Sequence, residues 1–271
     1  MNQQKALTLS IVIPVYNEEL HLKRCLDSIA AQTVLPQEVV VADNNSTDNS
    51  VAIAKAYPFV RIIHVKEQGI VQARNAGFNA VSNDLIGRID ADSILPPGWV
   101  AYVQKYYAQQ KNFTTALTGG GYFYNIRLPK FNGWLQGQLA FRVNRFIVGH
   151  YILWGSNMVI PTAMWQAVAG QTCARQDIHE DMDLAIHVVR AGYSITYRER
   201  LRVGVMLKRV WENRWQQRKH VARWPKTLQV HGFKLWWLGS VGNVGLALLG
   251  EPYIFISEGM ARLFKRSKLP R

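Results

Sequence analysis

Residues 88–92 read Arg-Ile-Asp-Ala-Asp and place two carboxylates directly after an apolar run. Asp90 and Asp92 follow a run that begins at Leu85 and is interrupted only by a glycine and an arginine. Such a run is typical of a buried strand, because strands of parallel sheets are covered on both faces. The stretch therefore predicts a strand that ends in two carboxylates at a loop.

Two carboxylates at the end of a strand have a chemical and a structural interpretation. Carboxylate oxygens are ligands for Mg²⁺ or Mn²⁺, and these ions bind the oxygens of phosphate groups at the same time. Asp is equally common in turns, where it needs no ligand. The pair alone favours the turn, so the surrounding sequence decides between the two interpretations.

The sequence before this strand alternates between strands and helices. Apolar runs predict buried strands at Leu9–Val15, Val39–Ala42 and Val60–Val65. A helix is predicted after each of these strands. The first has its apolar face at Leu22, Leu26 and Ile29. The second and third span Asn49–Tyr57 and Ile70–Ala80. Asn17 is predicted to cap the first helix, with Glu18 and Glu19 in its first turn.

This alternation predicts an α/β fold with a doubly wound, mostly parallel sheet. Ligands of such sheets bind beyond the carboxyl ends of the strands, where Asp43, Asp48, Asp90 and Asp92 all fall. Loop formation or helix capping explains Asp48 equally well. No Gly-x-Gly-x-x-Gly follows the first strand and no P-loop sequence occurs, which argues against a dinucleotide oxidoreductase and a P-loop NTPase.

Length and composition describe an ordinary globular protein. The 271 residues are 48% hydrophobic and 18% charged, which fits one large domain or one domain with an appendage. Cys25 and Cys173 are isolated, which is typical of a reducing compartment and indicates no metal or disulfide framework. The sequence shows no signal-peptide pattern and no clear membrane span, so we expect a cytoplasmic protein.

Positive charge is concentrated near the end of the chain. Residues 198–271 contain 16 Lys or Arg and 4 Glu, which is +12 of the net charge of +14. Such a surplus of positive charge attracts nucleic acid, an anionic membrane or phosphorylated ligands. Alternatively, these residues form a solvated basic surface that has no partner. Because Trp236 and Trp237 precede a further basic run, we expect peripheral contact with the inner face of an anionic membrane. The alternative is a helix that covers the core.

Four stretches stand in a distinctive order along the chain. They are Ile-Val-Ile-Pro-Val-Tyr-Asn-Glu at 11–18, Val-Val-Ala-Asp-Asn-Asn-Ser-Thr-Asp at 40–48, Ala-Arg-Asn-Ala-Gly at 73–77 and Asp-Ala-Asp at 90–92. Together they resemble the glycosyltransferases of family 2. The resemblance covers the first two-thirds of the chain well and the last quarter hardly at all. It implies a GT-A, Rossmann-like domain, which we place at residues 1–230. Beyond the resemblance, the charge and tryptophan content predict a basic, helical extension at residues 231–271.

The resemblance also implies a nucleotide-diphosphate sugar as donor, linked to UDP or GDP. The residues that would line the nucleobase pocket are Pro14, Tyr16, Glu18 and Asp43. Asp43 would accept a hydrogen bond from the base.

The donor's diphosphate would be held by the central motif. Asp92, with Asp90 nearby, would bind Mn²⁺ or Mg²⁺, and Ala91 belongs to the same donor-binding motif. Arg74 is a candidate contact to the phosphates. Arg88 is expected to be a structural partner of the carboxylates.

The second half of the family pattern implies the acceptor side. The acceptor-binding residues are Trp154, Gly155, Ser156 and Asn157, which we expect on a strand. In the family an acidic pair at a later helix closes over the acceptor, which implies Glu180 and Asp181 here, with Asp181 as the catalytic base. Carboxylates are also favoured at any helix N-terminus, which is the alternative explanation. One base opposite the leaving group implies inversion, and the basic, Trp-rich tail favours a lipid-linked or cell-envelope glycan as acceptor.

Two other functions fit parts of the sequence. A sugar-phosphate nucleotidyltransferase on a related fold usually has a Gly-rich loop with a basic residue after the first strand, whereas residues 15–18 read Val-Tyr-Asn-Glu. A non-catalytic basic binding protein would leave the carboxylates unexplained. No nucleic-acid partner is expected, because stacking aromatics are not interleaved with Lys or Arg at a recognisable motif. His220 and His231 are weak candidates for additional metal ligands.

Overall fold

The computed structural model of the chain describes residues 7–109, 113–124, 141–206 and 214–238, with side chains from residue 222 onward in the last range. The strands are β1 Leu9–Val15, β2 Glu38–Asp43, β3 Val60–His64, β4 Leu85–Arg88, β5 Thr115–Thr118, β6 Gly121–Phe123, β7 Met158–Pro161, β8 Ser194–Tyr197 and β9 Val203–Val205. The helices are α1 Leu22–Ala30, α2 Ser50–Lys55, α3 Ile70–Asn79, α4 Trp99–Ala108, α5 at 141–148, α6 Thr162–Val168, α7 Glu180–Arg190 and α8 Arg214–Val230.

Seven of the described strands form a central sheet in the order β3-β2-β1-β4-β7-β5-β8. Strands β1 to β4 are parallel to their neighbours in this group, as expected for a doubly wound sheet. Strand β7 is antiparallel to both β4 and β5, whereas β5 and β8 are parallel. The α/β prediction is therefore confirmed, with one antiparallel strand that the sequence did not predict.

Both faces of the sheet are buried, which explains why its strands are nearly continuous apolar runs. In β1, Ile11 and Ile13 pack in one core cluster with α1, whereas Val12 packs with Phe78 of α3 in another. Helix α3 lies so close to β1 that a side chain at Gly77 would meet Val12 at 2.4 Å. This packing holds the carboxyl ends of the strands in fixed positions.

The loop after β1 differs from the prediction. Helix α1 begins at Leu22, and Asn17 lies in the preceding loop with a φ of 53°. Asn17 does not cap α1, because its Oδ1 accepts a hydrogen bond from the main-chain N–H of Thr47 at 2.8 Å. The carboxylate of Glu19 accepts one from the main-chain N–H of Asn49, the residue before α2. These side chains join two loops that are adjacent in space, which local sequence does not reveal.

Residues 154–157 form a turn, not the strand that the sequence predicted. The main-chain N–H of Asn157 donates to the carbonyl of Trp154 at 2.8 Å, and β7 begins only at Met158. In the antiparallel register Met158 pairs with Arg88, the last residue of β4. Because β7 runs opposite to β4, the turn that precedes β7 lies at the edge of the sheet where β4 ends.

The segment after α8 folds back onto the core. The main-chain N–H of Phe233 donates to the carbonyl of Leu228, and Phe233 packs with Met182 and Ile186 of α7. The domain boundary at 230/231 stays a prediction, and residues 239–271, most of the predicted extension, lie outside the described residues. None of the described helices combines the length and apolar character required to cross a membrane.

Candidate active site

Polar side chains collect at the edge of the sheet where β2 and β4 end. Asp43 is the last residue of β2, and Asp90 and Asp92 lie in the turn after β4. The turn at 154–157 reaches the same edge through β7. The first turn of α7 joins it, because Asp181 accepts a hydrogen bond from a main-chain N–H of this turn at 3.1 Å. Carboxylates from separate parts of the chain therefore converge on one edge.

Asp90 is held through both of its carboxylate oxygens. Oδ1 lies 3.2 Å from Nη2 of Arg88, and Oδ2 accepts a hydrogen bond from the hydroxyl of Ser156. The side chain nevertheless remains 37% exposed. The main-chain carbonyl of Asp92 accepts a hydrogen bond from the hydroxyl of Tyr124 at 3.0 Å. These contacts fix the turn that carries both aspartates.

Arg88 joins this turn to the start of α7. Its side chain is 3% exposed, and Nη1 lies 2.7 Å from Oε1 of Glu180 while Nη2 contacts Asp90. The guanidinium packs on the backbone of Gly155, where an added Cβ would lie 2.5 Å from Nη1. The structure confirms that Arg88 is a partner of Asp90 and adds Glu180 as a second partner.

The two carboxylates at the start of α7 have opposite environments. Burial raises the pKa of Glu180, but the charges of Arg88 and Arg74 outweigh burial and bring this pKa to about 2. Burial and then the charge of Glu180 raise the pKa of Asp181 to about 6, although Arg88 and two main-chain N–H groups oppose this. Glu180 therefore stays ionised, and Asp181 can accept a proton near neutral pH.

Arg74 lies in the protein interior, contrary to the expected phosphate contact. It is fully buried, where Nη1 donates to the main-chain carbonyl of Glu180 and Nε and Nη2 donate to Asn75. Burial lowers the pKa of Arg74 to about 10. Because α3 packs this face toward α7 and Trp165, Arg74 supports the acidic pair from inside the protein.

The residues expected to bind the nucleobase lie at the ends of β1 and β2. Pro14 is part of β1, and Tyr16 is 52% exposed just beyond it. Asp43 is buried, with Oδ1 accepting from the main-chain N–H of Ser46 at 3.2 Å and Oδ2 lying 3.1 Å from Nδ1 of His64. Sequence reasoning missed His64, because only the parallel register of β2 and β3 brings it beside Asp43.

The carboxylate of Asp48 is occupied by hydrogen bonds within the protein. Its carboxylate accepts hydrogen bonds from the main-chain N–H groups of Glu19 and Ser50, both at 2.9 Å. The main-chain N–H of Glu18 donates to the hydroxyl of Ser50 at 2.8 Å. Of the two explanations for Asp48, these bonds favour the loop-forming one, and they hold the loop after β1 against α2.

The four residues expected to bind the acceptor occupy different environments. Gly155 and Ser156 contact the carboxylates described above, and Trp154 is partly buried beside them. Asn157 is fully buried, donates to two main-chain carbonyls and accepts a hydrogen bond from Nε1 of Trp99. The structure therefore corrects the expectation for Asn157, which supports the turn from within the core.

The residues after β4 fit the expected divalent cation. The buried thiol of Cys25 lies near them, and its pKa is raised first by burial and then by the charges of Asp92, Asp90 and Glu18. Ala91 is buried between the two aspartates. A negatively charged set of oxygen ligands suits Mg²⁺ or Mn²⁺.

Comparisons with known proteins agree with this arrangement. Residues 10–165 match the family model described as glycosyl transferase family 2. Glycosyltransferase GlyA of Streptococcus pneumoniae serotype 4 is 32% identical over 121 residues, covering 42% of this chain and 17% of that protein. The uncharacterized glycosyltransferase YibD of Escherichia coli K12 is 37% identical over 93 residues, covering 33% and 27%. The chain therefore matches well under half the length of these relatives.

Solved structures share the fold over most of the chain. The mannosyltransferase PcManGT of Pyrobaculum calidifontis, in complex with GDP-Man and Mn²⁺, has a TM-score of 0.62 at 16% identity and covers 99% of this chain and 77% of that one. Glucosyl-3-phosphoglycerate synthase of Mycobacterium tuberculosis, with Mn²⁺, UDP and phosphoglyceric acid, has a TM-score of 0.57 at 18% identity, covering 84% and 79%. At these identities the likeness shows the fold, which is the GT-A fold.

The family match spans more than half of the chain and includes the Asp90–Asp92 turn, Arg88 and the turn before β7. The fold and the sequence family thus agree. The chain belongs to glycosyl transferase family 2.

Proposed function

We propose that the chain is an inverting glycosyltransferase that moves a sugar from a UDP- or GDP-linked donor to an acceptor hydroxyl. The observation that carries the proposal is the buried ion-pair bridge through Arg88, which joins the Asp90 turn to the pair Glu180 and Asp181. Complexes of the similar structures with GDP-Man or UDP support the donor class. An inverting transfer requires one base opposite the leaving group, and Asp181 has the chemistry for it.

The chain's own residues account for the proton transfer. The acceptor hydroxyl gives its proton to the carboxylate of Asp181 as its oxygen bonds to the anomeric carbon. The bond between that carbon and the diphosphate oxygen breaks, and its electron pair leaves with the diphosphate. Glu180 remains ionised and keeps Asp181 basic, while the N–H of Gly155 orients the Asp181 carboxylate.

Charge on the leaving diphosphate also has to be stabilised. Asp92, with Asp90 beside it, would hold Mn²⁺ or Mg²⁺, which when bound acts as a Lewis acid for the diphosphate oxygens. Ser156 and Arg88 position the carboxylate of Asp90 for this purpose.

The test of the base is Asp181→Asn. Its transfer rate should fall by about 10²–10⁴-fold, the contribution typical of a general base. Thermal stabilisation by UDP or GDP with Mn²⁺ should persist, because the substitution leaves the donor side intact. Asp177→Asn is the matched control, since Asp177 is an exposed carboxylate that pairs with Arg175. Transfer by Asp181→Asn at the wild-type rate would contradict the assignment.

We further infer that the end of the chain contacts an anionic membrane and that the acceptor is a lipid-linked or cell-envelope glycan. Trp236 and Trp237 are 39% and 50% exposed, and the surplus of +12 in residues 198–271 adds electrostatic attraction. The full chain should sediment with vesicles that contain anionic lipid and much less with neutral vesicles. Substituting both tryptophans by alanine should weaken this binding, and equal binding to both kinds of vesicle would oppose the inference.

A further inference from the structure

Four potential metal ligands lie together outside the candidate active site, between α7 and the residue that follows α8. This group, the cysteine–histidine cluster, consists of Cys173, Asp183, His187 and His231, and its ligand atoms all lie within 4.8 Å of one another. The ligands come from three segments: the loop before α7, one face of α7, and the turn after α8. Asp183 and His187 are four residues apart on α7, so they share a face of the helix.

Asp183 is the centre of the cluster and is fully buried. Its Oδ1 lies 2.8 Å from Nε2 of His231 and 3.5 Å from Nε2 of His187. Its Oδ2 accepts a hydrogen bond from the main-chain N–H of Cys173 at 2.9 Å, which brings the Cys173 thiol to the same place. The two imidazole rings lie 5.2 Å apart. Two imidazoles, a thiol and a carboxylate therefore surround one point.

An unsatisfied atom points to a ligand at this place. Nε2 of His187 is buried and makes no well-formed hydrogen bond to a described residue, and Oδ1 of Asp183 lies 3.5 Å from it. Buried polar atoms nearly always have a partner, so such an atom needs an explanation. A cation bound between His187 and Asp183 would give Nε2 of His187 a partner.

We propose that the cysteine–histidine cluster binds a structural zinc ion. Zn²⁺ binds Cys, His and Asp side chains with bonds of about 2.0–2.3 Å, and a closed set of four protein ligands is typical of a structural zinc site. Such bonds place tetrahedral ligand atoms roughly 3.3–3.7 Å apart. Ligand atoms at the present upper limit of 4.8 Å therefore have to approach by about 1.1–1.5 Å, and the 2.8 Å contact between Asp183 and His231 has to widen. The thiolate favours Zn²⁺ over Mg²⁺ or Mn²⁺, which prefer oxygen.

Proton balance in the cluster is simple. Zinc displaces the thiol proton of Cys173 to solvent, and it takes the Nε2 lone pairs of His187 and His231. The proton on the His231 ring then has to sit on Nδ1, which now lies 3.2 Å from Nη1 of Arg190. Arg190 is exposed and gives up this contact, while its Nη2 keeps its hydrogen bond to the carbonyl of His231.

Zinc at this position would fasten the segment after α8 to α7. The same helix carries Glu180 and Asp181 in its first turn, so the ion would stabilise the element that positions the proposed base. The site is separate from the oxygen ligands after β4, and it does not depend on the proposed transfer reaction.

Metal analysis of the full chain tests the proposal. The protein, dialysed without added metal, should retain one zinc ion per chain, and a hundredfold excess of zinc over its dissociation constant should raise the melting temperature of the metal-free protein by roughly 5–10 °C. Cobalt in place of zinc should give a thiolate-to-metal charge-transfer band. The band should vanish in Cys173→Ser and persist in Asp92→Asn, which removes only an oxygen ligand of the other site. His150→Gln, a histidine outside the cluster, should keep both the zinc and the band.

The wild-type protein alone can overturn the proposal, even where a variant fails to fold. Zinc content far below one ion per chain after reconstitution, or a cobalt spectrum without a thiolate band, would show that the cluster does not hold the metal.

Discussion

Replacing Arg88 by methionine removes the side chain that joins the Asp90 turn to α7. Methionine has a similar length, so the change removes the charge with little loss of packed volume. Glu180 is 12% exposed and would lose a counter-charge at 2.7 Å. Removing one partner of a buried ion pair costs about 3–5 kcal/mol. The pKa of Glu180, lowered from 4.5 to about 2, gives a similar order of magnitude, about 3 kcal/mol at roughly 1.4 kcal/mol per unit.

The same pKa fixes the pH dependence of this effect. The folded pKa of Glu180 is depressed, so its stabilisation is fully present above the unfolded value of 4.5 and is lost as the pH falls through about 2. The difference in the free energy of unfolding between wild type and Arg88→Met should therefore be largest near neutral pH. It should shrink as the pH falls below 4.5.

Urea unfolding near pH 7 and near pH 3 measures this difference. Arg61→Met is the matched control, because Arg61 is 43% exposed and pairs with Glu38 at 2.6 Å on the surface. Such surface pairs contribute about 0–1 kcal/mol. Equal losses in the two variants, or a loss in Arg88→Met that does not change with pH, would refute the reasoning that the Arg88 bridge is a buried, charge-dependent element of the site.

Three further outcomes follow from the site. The kcat/KM of sugar transfer should decline as the pH falls through about 6, because Asp181 must be ionised. In Glu180→Gln this acidic limb should move to lower pH, because the negative charge that raises the pKa of Asp181 is gone. An unmoved limb would show that Glu180 does not influence Asp181. Gly155→Ala should lower the free energy of unfolding by about 1–3 kcal/mol and reduce kcat, since its Cβ would lie 2.5 Å from the Arg88 guanidinium. Gly170→Ala is the control, because no atom lies within 4 Å of the added Cβ. It should change neither the free energy of unfolding nor kcat, as measured by thermal melts and steady-state kinetics. Excess EDTA should abolish transfer and Mn²⁺ or Mg²⁺ should restore it, whereas full activity in EDTA would exclude the metal requirement.

The first half of the fold could be predicted because its signals are local. The strand predicted at Leu9–Val15 coincides with β1, since a strand buried on both faces is a continuous apolar run with polar residues at its end. The helix that carries the acidic pair is expected to open with the stretch that starts at His179, and it begins at Glu180 in the structure. The aspartates at 43, 90 and 92 are predicted at strand ends because each follows an apolar run. The direction of parallel strands then determines the edge of the sheet at which these residues lie.

The remaining features depend on contacts between distant segments. Nothing in the apolar run 158–161 indicates that β7 is antiparallel. The sequence also does not show where β7 begins, and residues 154–157, expected on a strand, form the turn before it. Arg74 is expected at the phosphates because the helical spacing sets it apart from the apolar face, and Asn157 is expected at the acceptor because the family pattern implies it. Both are buried and donate to main-chain carbonyls. The cysteine–histidine cluster joins residues from 173 to 231, a spacing that matches no short metal-binding pattern.

A crystal structure of the full chain with Mn²⁺ and a non-transferable UDP- or GDP-sugar analogue tests the central claim most directly. The measured quantity is the position of the carboxylate of Asp181 relative to the anomeric carbon and the diphosphate. We predict that Mn²⁺ lies on Asp92 and the diphosphate, with the Asp181 carboxylate on the opposite side of the anomeric carbon. A diphosphate bound away from the turn after β4, or an Asp181 carboxylate turned away from the sugar, would contradict the account.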